Sequence, residues 1–496
     1  MKQTTPRRSS CPCWTEILRV GMVIDACFRC RQDLQEGSSI MRASFLLLSL
    51  PVLLSTPLFA QSEAPPAKTA ILFIGDGVDD HQLTLGRNYL HGAAGTLLFE
   101  GLERRATARV LTVREDDPRQ PEYVADSASG GTALSAGVVT SRGRIATTAQ
   151  SDEDVATILE LAKAAGKRVG VVATSRITDA TPASFYAHVA VRFCERPDDM
   201  SSTQGGLLPG PMCPADDAAV GGPGSIAEQL ATGDVDVALG GGADRFTQKT
   251  HKGPTVLELA EDAGFQIVRT AAELEAVGSG RVLGLFSPGH LPVLWQGEGQ
   301  GRARRLQTKR GAKEPEVSSF GCEPAPSFGD TPTLEALTRK AIELLSGDEG
   351  FFLMVESASI DKQSHAANPC GQIGEIKQLE DAVQVALDYA ERNPGTLIVV
   401  ASDHGHAAQI IPYPSLFAAM VRGSGEEVPH SPGRFAVVET PEGGVMGVSY
   451  ATSTGIFEEH TGTAIPVFGQ GPGSEALHGI IDQTDVFEIL RAALGL

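Results

Sequence analysis

Positive charge is what this chain is short of. Against 61 Asp and Glu it carries 41 Lys and Arg, a formal net charge of -20 at pH 7. So acidic a protein repels the nucleic-acid backbone and anionic membrane surfaces, which argues against both as partners. Past residue 60 it also lacks any apolar run long enough to span a bilayer. Cysteine is scarce there too: Cys194, Cys213, Cys322 and Cys370 are all that follow residue 60. No internal repeat and no linker divides the chain, so one domain with embellishments is expected. What remains, 42% hydrophobic and 21% charged over 496 residues, is ordinary globular composition with length for a large core. The acidic balance poses a problem: if the substrate is an anion, the site needs its own positive charge, and metal ions would supply it.

The front end differs from the rest. Met41-Arg-Ala-Ser-Phe-Leu-Leu-Leu-Ser-Leu-Pro51 continues through an apolar run to Ala60-Gln61. One positive residue, a short apolar run and a small residue before a polar stretch describe a secretory signal peptide over 41–60, too short and proline-broken for an anchor. Residues 1–40 are expected to be untranslated or disordered, with translation starting at Met41. Their Cys11-Pro-Cys13 and Cys27-Phe-Arg-Cys30 are poorly spaced for zinc. The exported part would then be 61–496, periplasmic or secreted, with no membrane anchor after cleavage. Four cysteines in an exported protein suggest two disulfides with three possible pairings. Joining neighbours, Cys194–Cys213 and Cys322–Cys370, closes the smallest loops and is favoured.

Apolar strands alternate with amphipathic helices. Strands are expected at Ala70–Ile74, Arg168–Ala173, Val235–Leu239, Phe351–Val355 and Thr396–Ala401. Helices are expected from a capping box at Ser151–Asp154 to Ala165, near Thr333–Leu345, near Ile376–Ala390, and from a Thr484 cap to about Leu494. This order predicts an α/β three-layer sandwich, a mainly parallel central sheet with helices on both faces. Segments 196–224, 296–331 and 407–458, rich in Gly, Pro and charge, read as surface insertions.

Ligands of such sheets bind outside the carboxyl ends of the strands. Polar residues just after apolar strands are therefore the candidates: Asp76, Glu356, and Asp403-His404. Beyond Glu356, Asp361 and His365 lie one helical turn apart and project from one face. With the distant His460 these make more ligands than one ion takes and enough for two or three. The other eight histidines (His81, His91, His188, His251, His290, His406, His430 and His478) are read as structural or surface residues. Asp126-Ser127 opens a helix, where the helix terminus favours an alkoxide or a bound phosphate at Ser127. Gly240-Gly-Gly242 lacks the lysine that a phosphate loop would carry and reads as a tight turn.

Together these pieces resemble the alkaline phosphatase family, in its bacterial periplasmic branch. The matching motifs are Ile74-Gly-Asp76-Gly77, Asp126-Ser127-Ala128, Asp179-Ala-Thr181-Pro-Ala183 with Ala187-His-Val-Ala-Val-Arg192, Glu356 through Gly371, Ser402-Asp403-His404 and Glu459-His460-Thr-Gly462. The resemblance runs from about residue 69 to the C-terminus. It implies two zinc ions and one magnesium ion acting on small phosphate monoesters. Asp361, His365 and His460 match the ligands of the first zinc. Asp76, Asp403 and His404 match those of the second, which activates Ser127 as nucleophile. Asp76, Thr181 and Glu356 match the magnesium ligands. Arg192 matches the arginine that clamps phosphate, and Asp179 with Lys362 a supporting pair. The resemblance further implies a phosphoserine intermediate cleaved by a zinc-bound hydroxide, and the neighbour pairing of the cysteines. Two departures stand out. Only Gln61–Lys68 occupies the place of the long N-terminal arm with which such enzymes commonly embrace a second subunit, so a homodimer is expected, if formed, through the body of the protein and not through that arm. The segment between His404 and His460, including Val421–His430, does not follow the branch closely. The alternatives are a phosphodiesterase of the same superfamily, against which Ser127, Arg192 and Glu356 speak, and a non-catalytic exported binder of phosphate or zinc.

Overall fold

The computed structural model describes residues 66–202, 212–305, 317–414, 433–453 and 455–496. The expected signal segment 41–60, residues 1–40 with their four cysteines, and Val421–His430 lie outside the described residues. Among the described residues no helix is long and apolar enough to cross a membrane.

At the centre is the strand Thr69–Gly75, whose seven residues are all buried. It pairs in parallel with Phe351–Ser357 on one side and Thr396–Ala401 on the other. Ten strands form the sheet, in the order His478–Asp482, Arg104–Arg109, Ile465–Gln470, Thr396–Ala401, Thr69–Gly75, Phe351–Ser357, Arg168–Arg176, Val237–Gly241, Arg281–Leu285 and Phe265–Val268. From Thr396–Ala401 to Phe265–Val268 every pairing is parallel. Such strands are covered on both faces, which is why they read as continuous apolar runs. Alternate residues of Thr69–Gly75 supply the two cores. Ala70, Leu72 and Ile74 pack with Leu134, Ile158, Ile226 and Leu490 from helices on one face. Ile71 and Phe73 pack with Leu337, Ile376 and Leu379 from helices on the other. The three layers are as expected.

Several boundaries differ. The helix expected to start at Ser151–Asp154 begins at Ile158. Its cap is Thr157, whose side chain accepts from the Glu160 amide while Glu160 reaches back. A helix cannot start at Ser151 because the next residue, Asp152, takes a left-handed φ of +57°. The final helix, Gln483–Leu494, is capped by Asp482 and not by Thr484. The helix expected near Ile376 spans Pro369–Arg392, with proline in its first turn, where a missing N–H costs nothing. Segments 296–331 and 407–458 contribute to a second sheet, including Gln409–Ile411, Arg434–Glu439 and Val445–Tyr450. It packs Ala436, Val438, Val448 and Tyr450 against Leu85 and Ile373. The disulfides are Cys194–Cys213 and Cys322–Cys370. The second ties the long Pro369–Arg392 helix to the Cys322–Pro324 strand.

Register places the site. Ile74 is level with Glu356 and with Ala401, and Glu356 with Ala173. The residues that leave these strands, Asp76, Glu356, Asp403 and Ser175, therefore gather at one edge of the sheet.

Candidate active site

Asp76 follows its strand directly, and Gly77 then turns with φ of +71°. A side chain there would sit 3.2 Å from the Cβ atoms of Asp361 and His406, so only glycine fits. The Gly77 amide donates to Asp403 Oδ1 at 3.0 Å, and the His404 amide donates to the same oxygen at 3.0 Å. That leaves Asp403 Oδ2 buried and without a hydrogen-bond partner, as are Asp76 Oδ1 and Asp361 Oδ1. Three orphaned carboxylate oxygens in one buried place are expensive unless cations meet them.

The histidines are oriented for that purpose. His404 Nδ1 lies 3.2 Å from the Gly405 carbonyl, and His460 Nδ1 lies 3.0 Å from that of Ala125. His365 Nδ1 contacts the Glu458 carbonyl. A carbonyl only accepts, so each Nδ1 carries the hydrogen and each Nε2 keeps its lone pair. The lone pairs converge. His365 Nε2 and His460 Nε2 are 3.1 Å apart, and Asp361 Oδ1 is 3.5 Å and 3.4 Å from them. Ligands about 2 Å from a tetrahedral zinc stand about 3.3 Å from one another. In the neighbouring group, His404 Nε2 is 3.5 Å from Asp76 Oδ1 and 3.4 Å from Asp403 Oδ2. Ser127 Oγ is 3.3 Å from the same Nε2, at the distance of a further ligand.

His406 also lies in the first group. Its Nδ1, however, accepts from the Ala407 amide at 2.6 Å, so its hydrogen is on Nε2, 3.2 Å from Asp361 Oδ1. With its hydrogen there, it turns no lone pair toward the site to bind an ion. Read from the sequence as structural or surface, it is buried against the site. The one available signal was its position two residues after His404.

Ser127 is the first residue of the helix Ser127–Ala136, and Asp126 caps it by accepting from the Ser129 amide at 3.1 Å. A Cβ on Gly130 would meet the Asp403 carbonyl oxygen at 2.2 Å, so glycine lets this helix press against the Asp403 loop. Beside it, Arg192 Nη1 is 3.0 Å from Asp126 Oδ2 and Nη2 is 3.4 Å from Asp179 Oδ1. Burial works against the Arg192 charge, but Asp126 and Asp179 more than offset it and hold its pKa above the ordinary value. Lys362 Nζ lies 3.1 Å from Asp179 Oδ2 and 3.7 Å from Asp76 Oδ2.

A third group surrounds Glu356. Its Oε2 accepts from Ser175 Oγ at 3.0 Å, and Thr181, in the short helix Ala180–Ala183, hydrogen-bonds the same carboxylate. Burial pushes Glu356 up to about 8. Burial also raises Asp76 well above the usual carboxylate range, with Asp361 and Asp403 adding to the shift. Asp361 goes the other way: burial opposes its charge, but the imidazoles of His406, His460 and His365 around it outweigh that and hold it well below the usual range. Burial keeps His404 neutral, lowered to about 4. The donor set therefore suits divalent ions: imidazoles and carboxylates in two groups, carboxylates and a hydroxyl in the third.

The alkaline phosphatase profile matches residues 67–455. The chain is 40% identical to the streptomycin-6-phosphate phosphatase of Streptomyces griseus, over 93% of this chain and 98% of that protein. It is 40% identical to the alkaline phosphatase of Escherichia coli, over 87% of each. Among solved structures, the alkaline phosphatase of the Antarctic bacterium TAB5 superposes with a TM-score of 0.61 at 25% identity, over 87% of this chain and 98% of that one. With the fold, the converging donors at the sheet edge and these matches in agreement, the chain belongs to the alkaline phosphatase family, the metal-dependent hydrolases of phosphate monoesters.

Proposed function

We propose that this chain is an exported phosphatase that attacks small phosphate monoesters with Ser127. The observation that carries the reading is Ser127 Oγ, 3.3 Å from His404 Nε2 and beside the unpartnered oxygens of Asp76 and Asp403. Asp361, His365 and His460 would hold one zinc ion, and Asp76, Asp403 and His404 a second. Asp76, Thr181 and Glu356 would hold magnesium. Bound there, these ions supply Lewis-acid charge that favours ionised oxygen at the attacking and leaving positions.

The protein groups do the rest. The helix N-terminus at Ser127 favours the anionic form of its oxygen. Arg192 offers a planar fork to two equatorial phosphate oxygens, a match that a lysine would not reproduce. Ser127 Oγ forms a bond to phosphorus as the bond to the ester oxygen breaks, and the Ser127 proton ends on the departing alcohol, leaving a phosphoserine. Water then attacks the same phosphorus, Ser127 regains its proton, and inorganic phosphate leaves. Export is supported by the Met41–Ala60 segment and by two disulfides, which persist in oxidising compartments.

The test uses residues 61–496 with zinc and magnesium. A chromogenic monoester should be hydrolysed, and both chelation and Ser127→Ala should abolish turnover. Preference for the corresponding diester would favour the phosphodiesterase reading. Ions bound with no turnover would favour a binder.

A further inference from the structure

Asp179 is approached by more cations than the reaction needs. Its Oδ2 is 3.1 Å from Lys362 Nζ, while Oδ1 is 3.4 Å from Arg192 Nη2 and 3.3 Å from Arg176 Nη2. Two guanidiniums thus share one oxygen at nearly equal distances. Both distances exceed the 2.7–2.9 Å or so of a committed charge-assisted hydrogen bond. Oδ1 is further occupied by the Ala180 amide at 3.1 Å.

Arg176 is the last residue of the strand Arg168–Arg176, and its guanidinium has anchors of its own. Its Nε donates to Glu195 Oε2 at 2.8 Å, and Nη1 lies 2.5 Å from His290 Nε2. The same Glu195 oxygen accepts from Thr178 Oγ1 at 2.6 Å and from Arg245 Nε at 3.1 Å. His290 Nδ1 stands 3.2 Å from the Arg176 amide nitrogen and 3.8 Å from Asp179 Oδ2. Burial, with Lys362 adding to it, holds His290 neutral, lowered to about 3, and its one lone pair, on Nδ1, accepts from the Arg176 amide. Arg176 is therefore held by Glu195 at its guanidinium and by His290 at its amide, with one guanidinium edge left for Asp179.

We propose that Arg176, braced by Glu195 and His290, is a positioning residue for phosphate binding: it takes up part of the Asp179 carboxylate so that Arg192 and Lys362 stay beside Asp179 without being captured by it. The inference rests on the reading of Arg192 and Lys362 as groups that face phosphate. A carboxylate with fewer partners pulls harder on those that remain. Without Arg176, Arg192 closes on Oδ1 and Lys362 on Oδ2, and both are withdrawn from the anion.

The experiment measures inhibition of the metal-loaded enzyme by inorganic phosphate. Arg176→Gln should weaken phosphate about 3- to 10-fold, the size of one contact between coupled groups, with KM rising in step and kcat nearly unchanged. In an Asp179→Asn background the same change should shift phosphate inhibition less than about 1.5-fold, because the competition has already been removed. Equal effects in both backgrounds would overturn the proposal, as would a lowered melting temperature with phosphate binding unaltered. If Arg176→Gln does not fold, His290→Ala in the same two backgrounds asks the same question. Arg192→Ala separates the two layers: if it leaves phosphate inhibition unchanged, the reading of the site fails; if it weakens phosphate and Arg176→Gln does not, only the positioning role fails.

Discussion

Around Asp179 the charges find partners inside the protein, whereas a few ångströms away Asp76, Asp361 and Asp403 each bury an oxygen that has none. Burial works against both sets of carboxylates. Three cations hold Asp179 well below the ordinary carboxylate range, while Asp76 is driven well above it. The difference teaches which half of the site is complete as folded. The arginine half organises itself through ion pairs. The histidine half presents lone pairs 3.1 Å apart and orphaned oxygens, an arrangement that repels itself until cations are added. On the function proposed above, an acidic protein can thus host an anionic substrate: the positive charge would come partly from Arg192 and Lys362 and partly from what the carboxylates collect.

That contrast can be broken most decisively by removing the ions. Chelation should lower kcat/KM about a thousand-fold or more, since a Lewis acid contributes several kcal/mol to the barrier. It should also lower the melting temperature measured by calorimetry. Thermal stability indifferent to chelation would mean that the orphaned oxygens are tolerated without ions. A smaller effect is expected in the arginine half. Arg192→Lys keeps the charge and loses the fork, and kcat/KM should fall about 10- to 100-fold, the value of one charge-assisted hydrogen bond. A loss as large as that on chelation would show that the halves are not separable.

The smallest effect concerns pH in the metal-free protein. Glu356 is raised to about 8 when folded, from an ordinary value of 4.5. Between those values the folded state binds the proton more readily than the unfolded state does. Stability is therefore favoured at the acid end and lost as pH rises through about 8. Melting temperatures of the metal-free protein should decline from about pH 5 to about pH 8. Glu356→Gln should flatten that decline.

Much of this was legible in the chain. Ile71, Phe73, Phe352 and Val399 belong to apolar runs because both faces of the sheet are covered. Asp76, Glu356 and Asp403 were visible as acids just beyond or at the ends of such runs. The helix starts at Thr157 and not at Ser151: both stretches carry a hydroxyl and an acid at the right spacing, and only the folded backbone, left-handed at Asp152, separates them. His406 was undervalued because spacing does not reveal a tautomer. The Ala407 amide, next in the chain, decides that only once the folded backbone turns its N–H onto the ring. Arg176 and His290 belong to no motif, and 114 residues separate them.

By itself the sequence determined the layered architecture, the disulfide-forming cysteines and the kinds of donor at the strand ends, because periodicity and residue chemistry are local properties. Only the tertiary structure decided which donors share a group, which ring nitrogen faces inward and how Asp179 is divided among Lys362, Arg192 and Arg176. Those outcomes turn on strand register and on differences of a few tenths of an ångström between atoms far apart in the chain. Spacing along a sequence carries no such information.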